Sequence, residues 1–187
     1  MHSENGILGV GPRPKREQID LDLISAGKGF CSLALGAAVF DQTVSFAMMR
    51  GGHLTHAVLG AIEVAANGDF ANWRVPGEAV PGVGGAMDLA VGTPNIFVAM
   101  SHVTNKGRPK VVRACSAPLT ARACVRRIYT DLAVIDVTAS GLVLREVMPG
   151  LDPAGVQGKT GAELAVAPDC REMLVPETAH NGVKLRE

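Results

Sequence analysis

Apolar residues along this chain fall into short blocks: 31-CSLALGAAVF-40, 56-HAVLGAIEVA-65, 95-NIFVAM-100, 132-LAVIDVT-138 and 142-LVLREV-147. Each has the length of a β-strand, and several are unbroken rather than alternating, the pattern of strands covered on both faces. Only 139-ASG-141 separates the last two, which predicts an antiparallel hairpin at one edge of a sheet. Between the blocks, 42-QTVSFAMMR-50, 85-GAMDLAVG-92, 120-TARACVRRI-128 and 153-PAGVQGKTG-161 read as helices. Thr120 and Asp152 are the expected N-caps, the latter followed by Pro153 at the first helical position.

Strands alternating with helices predict an α/β fold: a mostly parallel sheet flanked by helices, with an antiparallel edge hairpin. The Gly- and Pro-rich stretches 9-GVGPRP-14, 76-PGEAVPGVGG-85 and 104-TNKGRPK-110 read as loops rather than linkers, because the same patterning resumes after each. One domain over residues 1–168 is expected. Residues 169–187 read as a tail with weak periodicity and mixed charge, either partly disordered or an arm that docks on a partner.

Composition adds to this picture mainly by exclusion. The 187 residues are 47% hydrophobic and 19% charged, enough for a core without disulfide staples, and aromatics are scarce at 4%. The 18 Lys and Arg balance the 18 Asp and Glu, and no basic run is interleaved with aromatics, so neither nucleic acid nor a membrane surface is an expected partner. Cys31, Cys115, Cys124 and Cys170 form no C-x-x-C pair, which predicts neither a zinc site nor a disulfide framework and suits a reducing cytoplasm. No basic-then-apolar leader and no bilayer-length apolar run is visible. His53 and His56 lack a carboxylate or thiol at ligand spacing, so no metal is expected.

Four stretches could carry chemistry. In Ser3-Glu4-Asn5-Gly6, Asn-Gly is a tight-turn signal that would present Glu4 at a loop tip, as an exposed nucleophile or base or merely a solvated charge. In 82-GVGGAMDLAVG-92, Gly82, Gly84 and Gly85 lead into a helix, where free backbone N–H groups suit an oxyanion or phosphate, or where small residues allow close packing. It is not the dinucleotide fingerprint, which would need Gly or Ala at Met87. Arg50-Gly51-Gly52 would turn the chain after a helix and leave Arg50 free for a carboxylate or phosphate. The loop around Lys106 is either solvated surface or a handle for an anionic ligand.

Taken in order, SENG with GILGVGP, SFAMMRGGHL, VLGAIEV with GDFANW, GVGGAMDL, the Lys-Gly loop and PLTARACVRRIYTDLAVIDVT resemble the beta subunit of the family I coenzyme A transferases, over about residues 2 to 168. The resemblance implies the coenzyme A transferase fold and an enzyme that moves coenzyme A between an acyl-CoA such as succinyl-CoA and a 3-oxo acid, acetoacetate or 3-oxoadipate. It implies Glu4 as the nucleophile that forms a glutamyl-CoA thioester, and Gly84 and Gly85 as the oxyanion side of the site. Ser3, Asn5, Gly6, Arg50, Gly51, Gly52, Gly82 and Lys106 would bind substrate or coenzyme A. The thioester is a substrate, no further cofactor is implied, and an alpha subunit would complete the cleft. Family members usually carry about forty residues before the S-E-N-G motif, against Met1 and His2 here. That departure implies a start internal to a longer frame or a truncated form, with a non-catalytic assembly subunit as the competing reading.

Overall fold

The computed structural model describes residues 1–75, 77 and 84–174. The chain divides into two compact units, Met1–Ala57 with Val83–Pro94, and Val58–Gly82 with Asn95–Glu187.

The first unit begins with a hairpin of β1 (His2–Ser3) and β2 (Ile7–Val10), to which β3 (Leu33–Val39) adds antiparallel. Its helix α1 (Gln42–Arg50) starts where the Asp41 side chain accepts from the Val44 N–H. It ends in a Schellman arrangement: the His53 N–H donates to the Met48 carbonyl and the Gly52 N–H to that of Met49, with Gly52 at φ +74. Further along, α2 (Ala86–Gly92) lies so close that a Cβ on Gly92 would stand 2.0 Å from the Met49 carbonyl oxygen. Only glycine permits that approach. The chain passes into the second unit along β4 (His56–Leu59).

In the second unit β5 (Glu63–Ala65), β6 (Phe70–Ala71) and β8 (Val111–Val112) make a small sheet in the order β6-β5-β8. The large sheet is built from β7 (Asn95–Ala99), β9 (Val125–Tyr129), β10 (Ala133–Thr138), β11 (Gly141–Val147) and β12 (Leu164–Glu172). Its order is β12-β11-β10-β9-β7-β4, with Val58 and Leu59 the part of β4 that belongs to this unit. β7, β9, β11 and β12 share one direction and β10 opposes them, so the class is the expected α/β with a mostly parallel sheet. Ile96, Val98, Val125, Ile128, Ile135 and Leu144 are fully buried along it, and the short α3 (Pro153–Gln157) is capped by Asp152 as expected.

Four sequence expectations need correction. Residues 120–128 are not a helix: Val125–Tyr129 is a strand, and Thr120 caps nothing but exchanges hydrogen bonds with Asn72. The register slips by one between Ile96 and Phe97, so Val125 and Ile128 both point inward across a bulge at Arg126 and imitate helical spacing. The run 56–65 is two strands in two different sheets, not one. The β10–β11 hairpin forms as expected but is not at the edge, because β12 pairs parallel outside β11. Residues 169–172 are therefore strand rather than tail, with Pro168 in a register break of this edge strand, where its missing N–H costs nothing.

A buried imidazole ties the second unit together. His102 Nε2 is 2.9 Å from the Thr160 hydroxyl, which itself donates to the Val156 carbonyl, and Nδ1 is 3.0 Å from the Thr130 hydroxyl. With the Thr160 proton already committed, Nε2 must be the donor. Burial lowers the His102 pKa, and the Asp131 charge opposes that shift.

Candidate active site

The S-E-N-G sequence forms a three-residue hairpin loop. The Gly6 N–H donates to the Ser3 carbonyl at 3.0 Å, and the ladder resumes at Ser3 opposite Ile7. Of the loop residues only Gly6 has positive φ, +114, and a Cβ there would stand 2.1 Å from the Phe40 carbonyl oxygen. The turn signal thus resides in the glycine, as in three-residue loops that end on a bulge. Asn5 fixes the loop from outside its own strands: its Oδ1 accepts from the Ser3 hydroxyl and its Nδ2 donates to the Ile24 carbonyl at 2.6 Å. The Ser3 hydroxyl also accepts the Ala26 N–H.

Glu4 is half-buried, not a solvated loop tip. A Cβ on Gly85 would stand 2.6 Å from Glu4 Oε2 and 2.9 Å from the Phe46 ring, so the carboxylate occupies the space that a side chain at position 85 would take. Burial raises the Glu4 pKa, a hydrogen bond from the Gly85 backbone N–H offsets part of that rise, and the Asp88 charge adds to it. Asp88 is itself paired with Arg50, Nε to Oδ1 at 2.6 Å, and the Arg50 guanidinium lies 5.7 Å above the Phe46 ring centre. A carboxylate so placed could act chemically as a nucleophile or as a base.

The structure brings together Ser3, Glu4, Asn5, Gly6, Arg50 and Gly85 in the first unit. Gly51 and Gly52 close the end of α1, and Gly84 (φ +64) has open space where a Cβ would stand. Lys106 is exposed on the second unit, at a turn where the Gly107 N–H donates to the Thr104 carbonyl. Gly82 lies outside the described residues. Sequence reasoning missed Phe46 and Asp88, and it missed Ser45, whose hydroxyl donates to the Glu4 carbonyl. A serine four residues before Met49 on the buried face of a helix was the available signal, since such a hydroxyl needs a partner.

Two cavities of the second unit, about 340 and 950 Å³, include none of these residues. The smaller is occupied by ion pairs of Arg145 with Asp169 and Arg171 with Glu146. Among the described residues no cluster of His, Cys, Asp or Glu could hold a metal, and no helix is long and apolar enough to cross a membrane.

A half-buried carboxylate seated against Gly85 on an α/β scaffold is the site that the relatives bear on. The chain belongs to the coenzyme A transferase family, whose profile matches residues 1–158. It is 51% identical over 165 residues to the beta subunit of 3-oxoadipate CoA-transferase from Acinetobacter baylyi, spanning 88% of this chain and 76% of that one. It is 47% identical over 167 residues to the beta subunit of the probable succinyl-CoA:3-ketoacid coenzyme A transferase from Bacillus subtilis, spanning 89% and 77%. The fold recurs in an acyl-CoA transferase of Escherichia coli O157:H7, at TM-score 0.68 and 21% identity over 91% of this chain and 34% of that one. It recurs too in glutaconate coenzyme A-transferase of Acidaminococcus fermentans, at TM-score 0.66 and 16% identity over 94% and 73%. The relatives thus mark this chain as the beta subunit of a CoA transferase.

Proposed function

We propose that Glu4 is the nucleophile of a coenzyme A transfer between an acyl-CoA and a 3-oxo acid, carried out in complex with a companion alpha subunit. The observation that carries this reading is the half-buried Glu4 carboxylate seated in the space left by the absent side chain of Gly85. Ionised Glu4 attacks the acyl-CoA carbonyl and expels CoA thiolate, leaving a mixed anhydride. The thiolate attacks Glu4 Cδ and expels the free acid, leaving a glutamyl-CoA thioester. The 3-oxo acid then runs the two steps in reverse and departs as its CoA thioester. Each stage keeps one Glu4 oxygen as a carbonyl or oxyanion, and the Gly85 N–H is already directed at that carboxyl group.

The names of the relatives support succinyl-CoA as donor and a 3-keto acid or 3-oxoadipate as acceptor, and acetoacetate as that 3-keto acid rests on the family resemblance. Arg50, over the Phe46 ring, is a cation available to an anionic substrate, at the expense of its pair with Asp88. Lys106 as a coenzyme A contact rests on the family resemblance, as does any role for Gly82. The test is rapid-quench peptide mass spectrometry of the chain assembled with its alpha subunit and mixed with succinyl-CoA or acetoacetyl-CoA. A coenzyme A adduct confined to the Glu4 peptide, absent from Glu4→Gln, is expected. An active complex without that adduct overturns the reading.

A further inference from the structure

A nucleophile needs a fixed backbone as well as a free carboxylate, and the Glu4 carbonyl is satisfied from outside its own loop. The Ser3 carbonyl receives the Gly6 N–H and the Gly6 carbonyl receives the Phe40 N–H, whereas the Glu4 carbonyl has neither kind of partner. It accepts instead from the Ser45 hydroxyl, at 2.6 Å. Ser45 is fully buried on α1, where its backbone N–H makes the ordinary helical bond to the Asp41 carbonyl and its hydroxyl turns instead to Glu4. Its hydroxyl crosses 41 residues of sequence to hold one carbonyl.

The hydroxyl has one proton, and that proton is spent on Glu4. The 3.0 Å contact between Ser45 Oγ and His2 Nε2 is therefore a bond in which His2 donates. The imidazole is held in place by stacking on Phe40, at 6.1 Å between ring centres and 14° between planes. Because Nε2 carries a hydrogen whether or not Nδ1 is protonated, the chain His2 to Ser45 to Glu4 keeps its direction in either charge state of the ring. The two residues flanking Ser3, one in β1 and one in the turn, are thereby clamped to a single hydroxyl on α1.

We propose that Ser45, oriented by His2, is a positioning residue that fixes the Glu4 backbone so that its carboxylate approaches the face of the acyl carbonyl. This rests on Glu4 as the nucleophile. Both side chains act through the Glu4 backbone, so their loss should slow the chemical step and leave substrate affinity alone. The experiment measures kcat, KM for the acyl-CoA and the rate of Glu4 adduct formation in the assembled complex for wild type, Ser45→Ala, His2→Leu and His2→Gln. Ser45→Ala is expected to lower kcat and the adduct rate about tenfold to a hundredfold with KM unchanged, given that a displacement of about 1 Å costs about that much. His2→Leu should lose less, and His2→Gln, whose amide can donate at the same place, should recover most of that loss. Wild-type adduct rates in Ser45→Ala, or equal rates in the two His2 variants, overturn the proposal. If Ser45→Ala does not assemble, the His2 pair decides alone. Absence of the adduct from the active wild type instead removes the nucleophile reading, and this inference with it.

Discussion

The Glu63 carboxylate accepts the Ser116 N–H at 2.6 Å, the Ser116 hydroxyl at 2.7 Å and the Ala117 N–H at 3.1 Å. Burial alone would raise its pKa, but those bonds outweigh burial and hold it below the usual value. Glu4 is half-buried as Glu63 is, yet it has the Gly85 N–H as its donor and Asp88 as a like charge nearby, and its pKa is raised. One glutamate has committed its lone pairs and serves as a fastener for the loop at 115–117. The other, among the described residues, has a single N–H donor in a partly dry site, which leaves lone pairs for the attack on a thioester proposed for it.

Gly85→Ala breaks this comparison most severely. Gly85 has φ −86, which alanine adopts readily, so the cost comes from the Cβ placed 2.6 Å from Glu4 Oε2 rather than from the backbone. A loss of about 10²-fold in kcat is expected, the size seen when a reacting group is misplaced by about 1 Å, with the circular dichroism spectrum unchanged. Near-wild-type turnover would mean that the carboxylate does not work from this seat.

Glu63→Gln makes the converse cut. It keeps the shape but loses the charge that three donors face, so unfolding in urea should come earlier by about 1–3 kcal/mol. The rate of Glu4 adduct formation should stay at the wild-type level, and a large rate loss at full stability would show that Glu63 is more than a fastener.

The smallest effect lies in pH dependence. With its folded pKa raised, Glu4 takes up its proton above the ordinary glutamate range, so the adduct rate should fall at a higher pH than for a solvated carboxylate. Asp88→Asn should move that fall to lower pH, seen in single-turnover rates across a pH series. In stability the two glutamates act with opposite signs. The contribution of Glu63 is full above its unfolded pKa and is lost as pH falls through its lowered folded value. Glu4 binds its proton more tightly when folded, so its contribution becomes more favourable as pH falls from its raised pKa toward the unfolded one.

Local signals were legible where one residue decides the outcome. The polar-to-apolar pattern of 42-QTVSFAMMR-50 marked the bounds of α1, and Pro153 after Asp152 marked α3. The rest depended on partners that periodicity does not encode. The apolar run 56–65 looks continuous because both of its sheets need apolar residues, and nothing in the run announces the change of sheet at Gly60. β9 was hidden by its bulge, and β12 by a proline that an edge strand tolerates. In the site, the S-E-N-G motif pointed to Glu4 and the glycine loop to Gly85, but Ser45, Phe46 and Asp88 become neighbours of Glu4 only through the packing of α1 and α2.

The hairpin loop also bears on how this protein ages. Asn-Gly is the dipeptide most open to deamidation, in which the glycine nitrogen attacks the asparagine side-chain carbonyl and ammonia leaves through a succinimide ring. Here the Gly6 nitrogen is engaged with the Ser3 carbonyl, and both ends of the Asn5 amide are tied, to the Ser3 hydroxyl and the Ile24 carbonyl. While the loop is folded, these bonds oppose the rotation of the Asn5 side chain and the loss of the Gly6 N–H proton that the attack requires. The contacts that present Glu4 thus double as chemical preservation, and damage at position 5 becomes a clock for time spent unfolded.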